Sequence, residues 1–226
     1  MKPARVSGLN QWEWVFQNER VCYHIIRPSR GAQVIEEVMA EAVPEVWGAD
    51  LYSAQKCHPG QQWQVCLAHQ LRDCQYAIDK GDTIFAPVMQ ELFQRAIGIH
   101  HRREGLASST LERYRTQIKR QLKQALTLNP DQDDGKHLLK RYLEVQENLF
   151  VFLDRPEVPP TNNSSEQALR MSVIFRKVTN GFRSDWGKEV FSNIRSIINT
   201  GTRQGLSAFE AIQRALDSEI IAFLPS

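Results

Sequence analysis

The sequence predicts a mixed α/β protein with a strand-rich first third, a helical block, and a helical C-terminal part. Three observations lead there. Two runs dense in aromatic and branched residues, QWEWVF at 11–16 and VCYHII at 21–26, stand near the start, the composition that suits a pleated, half-buried ladder. Past His69, apolar residues recur three or four apart over Phe85 to Ile99, Ser109 to Leu126 and Leu138 to Leu153, the period of a helix face. A stiff stretch, DRPEVPPTNN at 154–163, divides that block from the C-terminal helices, because residues before proline favour extended backbone.

The elements come in order. A short polar QNER joins the first two runs, so they read as an antiparallel hairpin. Ser29 can cap a helix whose apolar stripe is Val34, Ile35, Val38, Met39 and Ala42, closed by Pro44. EVWGAD is a short strand ending at Asp50, and QWQVCLA at 62–68 reads as another. In the helical block, Leu111, Tyr114, Ile118, Leu122 and Ala125 mark a buried face, and Ser109-Thr-Leu-Glu112 has the pattern of a capping box. NPDQDDG breaks two helices apart. After the connector come a helix bearing Glu166, one from Asp185 to Thr200 that stops at Gly201, and one from Ser207 to Leu216. The expected organisation is therefore 1–74 strand-rich, 75–155 helical, and 156–226 C-terminal helices.

At 226 residues, 42% hydrophobic and 24% charged, the chain has enough apolar content for a sizeable core and is not of the disordered class. A net charge of +2 and a pI near 8.4 permit a nucleic-acid partner where the positive charge clusters. No apolar run approaches the roughly 20 residues a membrane span needs, and the first residues lack a signal-peptide pattern. A cytoplasmic, nucleoid-associated location without membrane contact is the expectation. Reduced thiols are expected at Cys22, Cys57, Cys66 and Cys74.

Two acids draw attention. Asp50 ends a short apolar strand, and side chains at strand ends project past a sheet edge into a crevice; equally, it can open a turn or cap the helix near Tyr52. Glu166 sits just inside its helix, where Asn163-Ser-Ser-Glu166 also fits a capping box. Brought together, the two would be a hard oxygen pair suited to Mg²⁺ or Mn²⁺, half of a two-metal phosphoryl-transfer site with ions about 4 Å apart. Arg170, Arg176, Lys177, Arg183 and Lys188 lie beyond Glu166, interleaved with Phe175, Phe182 and Trp186. That mixture suits phosphate contact and base stacking, or else a solvated helix face over core aromatics. The glycines and Asn180 of TNGFRSDWG imply a tight loop carrying Arg183. Cys57, Cys66, His69 and Cys74 invite a zinc reading, but only Cys66 and His69 have a short ligand spacing, and an ordinary interior Cys66 with His69 at the strand end suits them better.

These residues resemble the transposases of bacterial insertion sequence family sixty-six, a DDE-type group with a ribonuclease-H-like catalytic core. The matching stretches are RVSGLNQWEWVF, IRPSRGAQVI, PEVWGADLYSAQ, WQVCLAHQLRDCQYAID, VPPTNNSSEQALR, FRKVTNGFRSDWG and SIINTGTRQG, in order along nearly the whole chain. The resemblance implies a mixed sheet with a large all-helical insertion before the last catalytic helix. It implies Asp50 and Glu166 as the second and third catalytic carboxylates and ligands of Mg²⁺ (or Mn²⁺). It also implies supporting roles for His69 and Arg72, in the stretch matching a Cys-x-Ala-His segment, and for Asn162 and Asn163. DNA, as transposon ends and target, is the implied substrate, with full-length transposase subunits as further partners.

Two departures stand out. The family's Asp-Glu-Thr segment, source of its first catalytic Asp, would fall just before Met1, and no acidic residue precedes the mid-strand Glu13. Gln167 stands where the family usually has Arg directly after its Glu. The expectation is a truncated catalytic domain, missing its first strand and inactive alone. The alternative is a non-catalytic remnant that binds DNA or transposase.

Overall fold

The computed structural model describes residues 1–56 and 60–217, and it is mixed α/β. It divides into two compact units: residues 1–38 with 163–226, and residues 39–162.

The first unit is built on an antiparallel sheet in the order β1 (Lys2–Val6), β2 (Leu9–Gln17), β3 (Cys22–Arg27). The hairpin of β2 and β3 forms as its composition predicts, and Asn18 closes it by accepting from the Arg20 and Val21 amides at 2.9 and 2.8 Å. β1 is a strand that the sequence pattern does not predict. Its composition is poor in branched residues, but Ser7 and Gly8 both take positive φ between the paired Val6 and Leu9, which matches the right-handed twist of the flanking strands. Pro3 is tolerated because β1 lies at the sheet edge.

Both edges of this sheet are engaged. Beyond β1, Phe182 makes a parallel bridge with Val6, with Ser7 N donating to Phe182 O at 2.8 Å and Phe182 N to Arg5 O at 2.7 Å. Along β3, helix α9 (Asp185–Arg203) takes up the open backbone: Cys22 N donates to Thr200 Oγ1 and His24 N to Ser196 Oγ, at 3.1 and 2.8 Å. Ser192, Ser196 and Thr200 recur four apart and are buried, so small hydroxyl side chains let the helix come close enough to satisfy a strand edge. α9 runs past Gly201. That glycine is no terminator: a Cβ there would lie 2.4 Å from Ala211 Cβ, so its smallness admits α10 (Ala208–Leu216). The left-handed turn residue is Gly205, at φ 79°. Helices α1 (Gln33–Met39) and α8 (Asn163–Thr179) complete the unit.

The second unit holds a parallel pair, β4 (Val46–Ala49) and β5 (Gln62–Val65), with the short α2 (Ser53–Lys56) between them. Around it are α3 (Leu67–Asp79), α4 (Ala86–Arg102), α5 (Ser108–Ala125), α6 (Asp133–Val145) and α7 (Val151–Asp154). Phe85, Phe93, Tyr142, Phe150 and Phe152 form its aromatic centre.

Three local features depart from the sequence pattern. The strand expected over 62–68 stops at Val65, and α3 begins at Leu67. The helix expected over 138–153 is interrupted at 146–150, because buried Gln64 donates to Leu149 O at 3.1 Å and accepts from Phe152 N at 3.0 Å. The capping box at Ser109 is not made: α5 starts at Ser108 after Ala107, and Glu112 pairs with Arg115 instead. Among the described residues no helix is long and apolar enough to cross a membrane.

Candidate active site and nucleic-acid face

In the second unit, the parallel register sets Ala49 opposite Val65, so the strands end side by side and the next residues, Asp50 and Cys66, leave together. The Cys66 amide donates to Ala49 O at 2.8 Å. With α3 opening at Leu67, His69 falls in its first turn. There its Nε2 lies 3.9 Å from Asp50 Oδ2 and its Nδ1 3.2 Å from Cys66 Sγ. Cys66 Sγ in turn contacts Asn162 Oδ1 at 2.9 Å and the Asn162 amide at 3.2 Å. Asp50, His69, Cys66 and Asn162 thus form one string, anchored by Leu67 N donating to Pro160 O.

Asp50 serves a local turn as well. Its Oδ1 accepts from Tyr52 N at 3.3 Å, and its own amide donates to Gln55 Oε1 at 3.2 Å. The turn reading is therefore realised through Oδ1, while Oδ2 faces His69. Leu51 comes next, at φ 52°, a left-handed conformation costing a bulky L-residue about 1–2 kcal/mol. Such strain persists only where surrounding structure holds it, and it concentrates at functional sites. The side chains of Asp50 and His69 stay about one-third exposed. Arg72 lies one turn on, its Nε donating to Ala68 O at 3.4 Å.

Cys57 lies outside the described residues. Cys74 is buried, its Sγ 3.5 Å from Tyr142 Oη, and burial pushes its thiol up to about 11. Among the described residues no group of three or more His, Cys, Asp or Glu side chains is set to hold a metal ion.

In the first unit, Glu166 occupies the first turn of α8. Asn163 is already helical there, so the residue expected to cap the helix is part of it. Gln17 ties this end to β2 by donating to Ser164 and Ser165 Oγ at 2.5 and 2.9 Å. The roll of α8 is set by Ser172, whose hydroxyl donates to Glu13 Oε1 at 2.8 Å. A groove of about 600 Å³ opens on this helix, lined by Lys2, Asn163, Glu166, Gln167, Arg170 and Arg176 among others. Arg176 also donates to Pro3 O at 3.1 Å. Glu166 thus shares its groove with three cationic side chains. Lys2 carries no signal in the sequence, because it reaches the groove through β1.

The remaining basic residues are placed differently. Lys177 and Arg183 are exposed. Arg183 sits on the expected tight loop, its carbonyl accepting from Ser7 Oγ. Gly181 is at φ 114°, where a Cβ would lie 2.5 Å from Arg5 O. Lys188 is buried, its Nζ on Gln11 Oε1 at 3.0 Å and Asp185 Oδ1 at 2.6 Å. Phe175 and Phe182 pack on each other and on Phe191, with ring centroids 4.7–5.2 Å apart, whereas Trp186 is 75% exposed.

Comparison with known proteins adds three findings. A family model described as "Transposase IS66 family" matches residues 1–190. The uncharacterized protein y4jO of Sinorhizobium fredii (strain NBRC 101917 / NGR234) is 30% identical over 98 residues, 42% of this chain and 30% of that protein. The chain thus spans less than a third of that relative's length. No solved structure matches.

Proposed function

The chain belongs to the IS66 family of transposases, and from that membership we propose a role in DNA transposition by metal-dependent phosphoryl transfer. The proposed setting is a ribonuclease-H-like core, with Asp50 and Glu166 as two of its acidic residues. The observation that carries this reading is the place of Asp50. It leaves a parallel strand pair at the carboxyl end, beside His69 and ahead of a strained Leu51, where open α/β sheets build their sites. The groove around Glu166 adds support, since Lys2, Arg170 and Arg176 suit the phosphate oxygens of a nucleic acid.

Mg²⁺ (or Mn²⁺) is the proposed cofactor; Asp50 and Glu166 are hard oxygen donors, and Mg²⁺ is commonly held by one or two carboxylates while keeping several waters. When bound, it would polarise a phosphoryl oxygen and ease deprotonation of water. The chain's own groups do the rest. Asp50 keeps one oxygen on the Tyr52 amide and offers the other, which His69 flanks. Glu166 offers its carboxylate in the cationic groove, where the guanidinium groups hold phosphate oxygens as charge develops. Lys177 and Arg183 reach backbone phosphates outside the groove. Transposon ends and target DNA are the proposed substrates.

A third carboxylate is needed for the full reaction, and Glu13 is a poor source. It is buried and taken up by His24 and Ser172. The chain alone is therefore proposed to bind DNA and to join ends weakly or not at all. The same burial of Glu13 favours a second reading, a chain that binds DNA or transposase without chemistry. Nicking and joining of labelled duplex ends with Mg²⁺ or Mn²⁺ tests the proposal, run beside Asp50→Asn and Glu166→Gln. Metal-dependent nicking lost in both variants supports it. Efficient joining by the unaltered chain overturns the incomplete site, and DNA binding with no metal-dependent nicking favours the second reading.

A further inference from the structure

A strongly uneven stretch of charge, separate in sequence from Asp50 and Glu166, is the hairpin of α4 and α5. Residues 86–125 carry eight lysines and arginines against three glutamates, a net of +5 in a chain whose total is +2. Most of that excess is on α5. Arg113, Arg120 and Lys123 lie on its solvent side, with the exposed Ser109, Thr116, Gln124 and Thr127 around them. This stripe holds no carboxylate.

The neighbouring cations behave otherwise. Arg115 and Lys119, on the adjoining side of the helix, are matched by Glu112 and Asp154 at 2.7–3.1 Å. Arg95 of α4 is held by Gln117 and Gln121 of α5 at 2.7 and 3.1 Å, a positive charge met by neutral amides. Among the described residues, Arg113, Arg120 and Lys123 form no ion pair. Position 120 has Thr116 and Gln124 one turn either way, where a glutamate would serve an ordinary surface helix. Lys123 instead faces Lys119 and Arg120 at four- and three-residue spacing, and like charges at that spacing weaken a helix. The helix thus omits available partners and tolerates self-repulsion, which leaves its charge open to an external anion.

We propose that the Arg113, Arg120 and Lys123 face of α5 is a second nucleic-acid contact, which binds the sugar–phosphate backbone of a DNA duplex independently of its sequence. This rests on the reading that the chain handles DNA, and it assigns to the helical unit a contact separate from the Glu166 groove. Arg113 and Arg120 are two helical turns apart, about 10.5 Å along the axis, a span that covers about three base pairs of duplex. Standing on the exposed side of a helix, these side chains reach phosphates rather than base edges, so the contact positions DNA without reading it.

The test is the salt dependence of duplex binding by the full chain, on a family end sequence and on an unrelated duplex. Arg113→Gln, Arg120→Gln and Lys123→Gln combined are expected to make the slope of log K against log salt shallower by about 2–3, near 0.9 for each phosphate no longer neutralised. The loss should be equal on both duplexes, and Arg113→Lys with Arg120→Lys should keep the slope of the unaltered chain. Circular dichroism of the triple variant guards against misfolding, and the lysine variant tests charge with the fold kept. An unchanged slope in the triple variant, while Arg170→Gln with Arg176→Gln weakens binding, overturns the α5 contact alone. Failure of the unaltered chain to bind either duplex overturns it together with the reading on which it rests. Binding to heparin but to neither DNA counts against it as well.

Discussion

Glu13 Oε1 and His24 Nδ1 lie 2.8 Å apart inside the first unit, with Glu13 only 2% and His24 1% exposed. They are diagonal neighbours on one face of β2 and β3. Ser172 of α8 donates to the same Glu13 oxygen, and His24 Nε2 meets Asn199 Nδ2 of α9 at 2.7 Å. One buried pair therefore joins the sheet to both long helices.

Breaking that pair should be costly, because a buried hydrogen-bonding group left without its partner forfeits solvation that nothing replaces. Glu13→Ala and His24→Ala are each expected to lower unfolding free energy by about 1–3 kcal/mol. The double variant should cost clearly less than the sum. Urea titration followed by circular dichroism measures this, and additive losses would show that the two side chains do not interact.

Gly181 should not accept a side chain. Its φ of 114° and the 2.5 Å approach of a Cβ to Arg5 O act together, so Gly181→Ala is expected to cost about 2 kcal/mol. The loss should be local first. Hydrogen exchange at the Ser7 and Phe182 amides, which bridge β1 to this loop, should speed up before the rest of the unit. Unchanged protection there would mean that the loop does not hold β1.

His100 predicts an acid-side loss of stability. Burial first, then the Arg103 and His101 charges, depress it to about 4 from 6.5, and Arg103 NH1 reaches its Nδ1 at 2.9 Å. Below its unfolded value the unfolded chain binds the proton more readily, so His100 stabilises the fold above about 6.5 and loses that contribution as pH falls to about 4. His100→Asn should flatten the stability profile across that window. A profile with the same slope in wild type and variant would assign the loss to another group.

The two acids make a paired prediction. Asp50→Asn retains an oxygen for the Tyr52 amide, so its melting should stay within about 0.5 kcal/mol of the parent. A carboxylate oxygen is nevertheless lost. Mn²⁺ binding, followed calorimetrically, should weaken at least about tenfold in Asp50→Asn and in Glu166→Gln, since each is proposed as one ligand of a sparse oxygen set. Equal Mn²⁺ affinity in parent and both variants would remove them from the site.

Much of the fold was legible because its signals are local. QWEWVF and VCYHII became β2 and β3, the tight loop at Asn180–Gly181 formed, and the long helices lie within a few residues of their periodic stretches. β1 was illegible by composition, since it is held by its register to β2 and by the Phe182 bridge. Its one local trace is the Ser7-Gly8 turn. The break near residue 148 was hidden for a similar reason. It is imposed by Gln64, a side chain far away in sequence that takes two backbone bonds.

The candidate site divides in the same way. Asp50 and Glu166 could be named from sequence because a strand end and a helix start leave short-range marks, and His69 through the motif that carries the family resemblance. The sequence also determined the family, through ordered motifs along most of its length. Tertiary structure alone decided which cations meet solvent. Arg170 and Arg176 line the groove with Glu166, whereas Lys188 turns inward to Gln11. It also decided that Phe175 and Phe182 pack together while Trp186 stays outside. Charge and aromaticity are properties of a residue, but exposure depends on what packs against it, and those neighbours come from strands and helices distant along the chain.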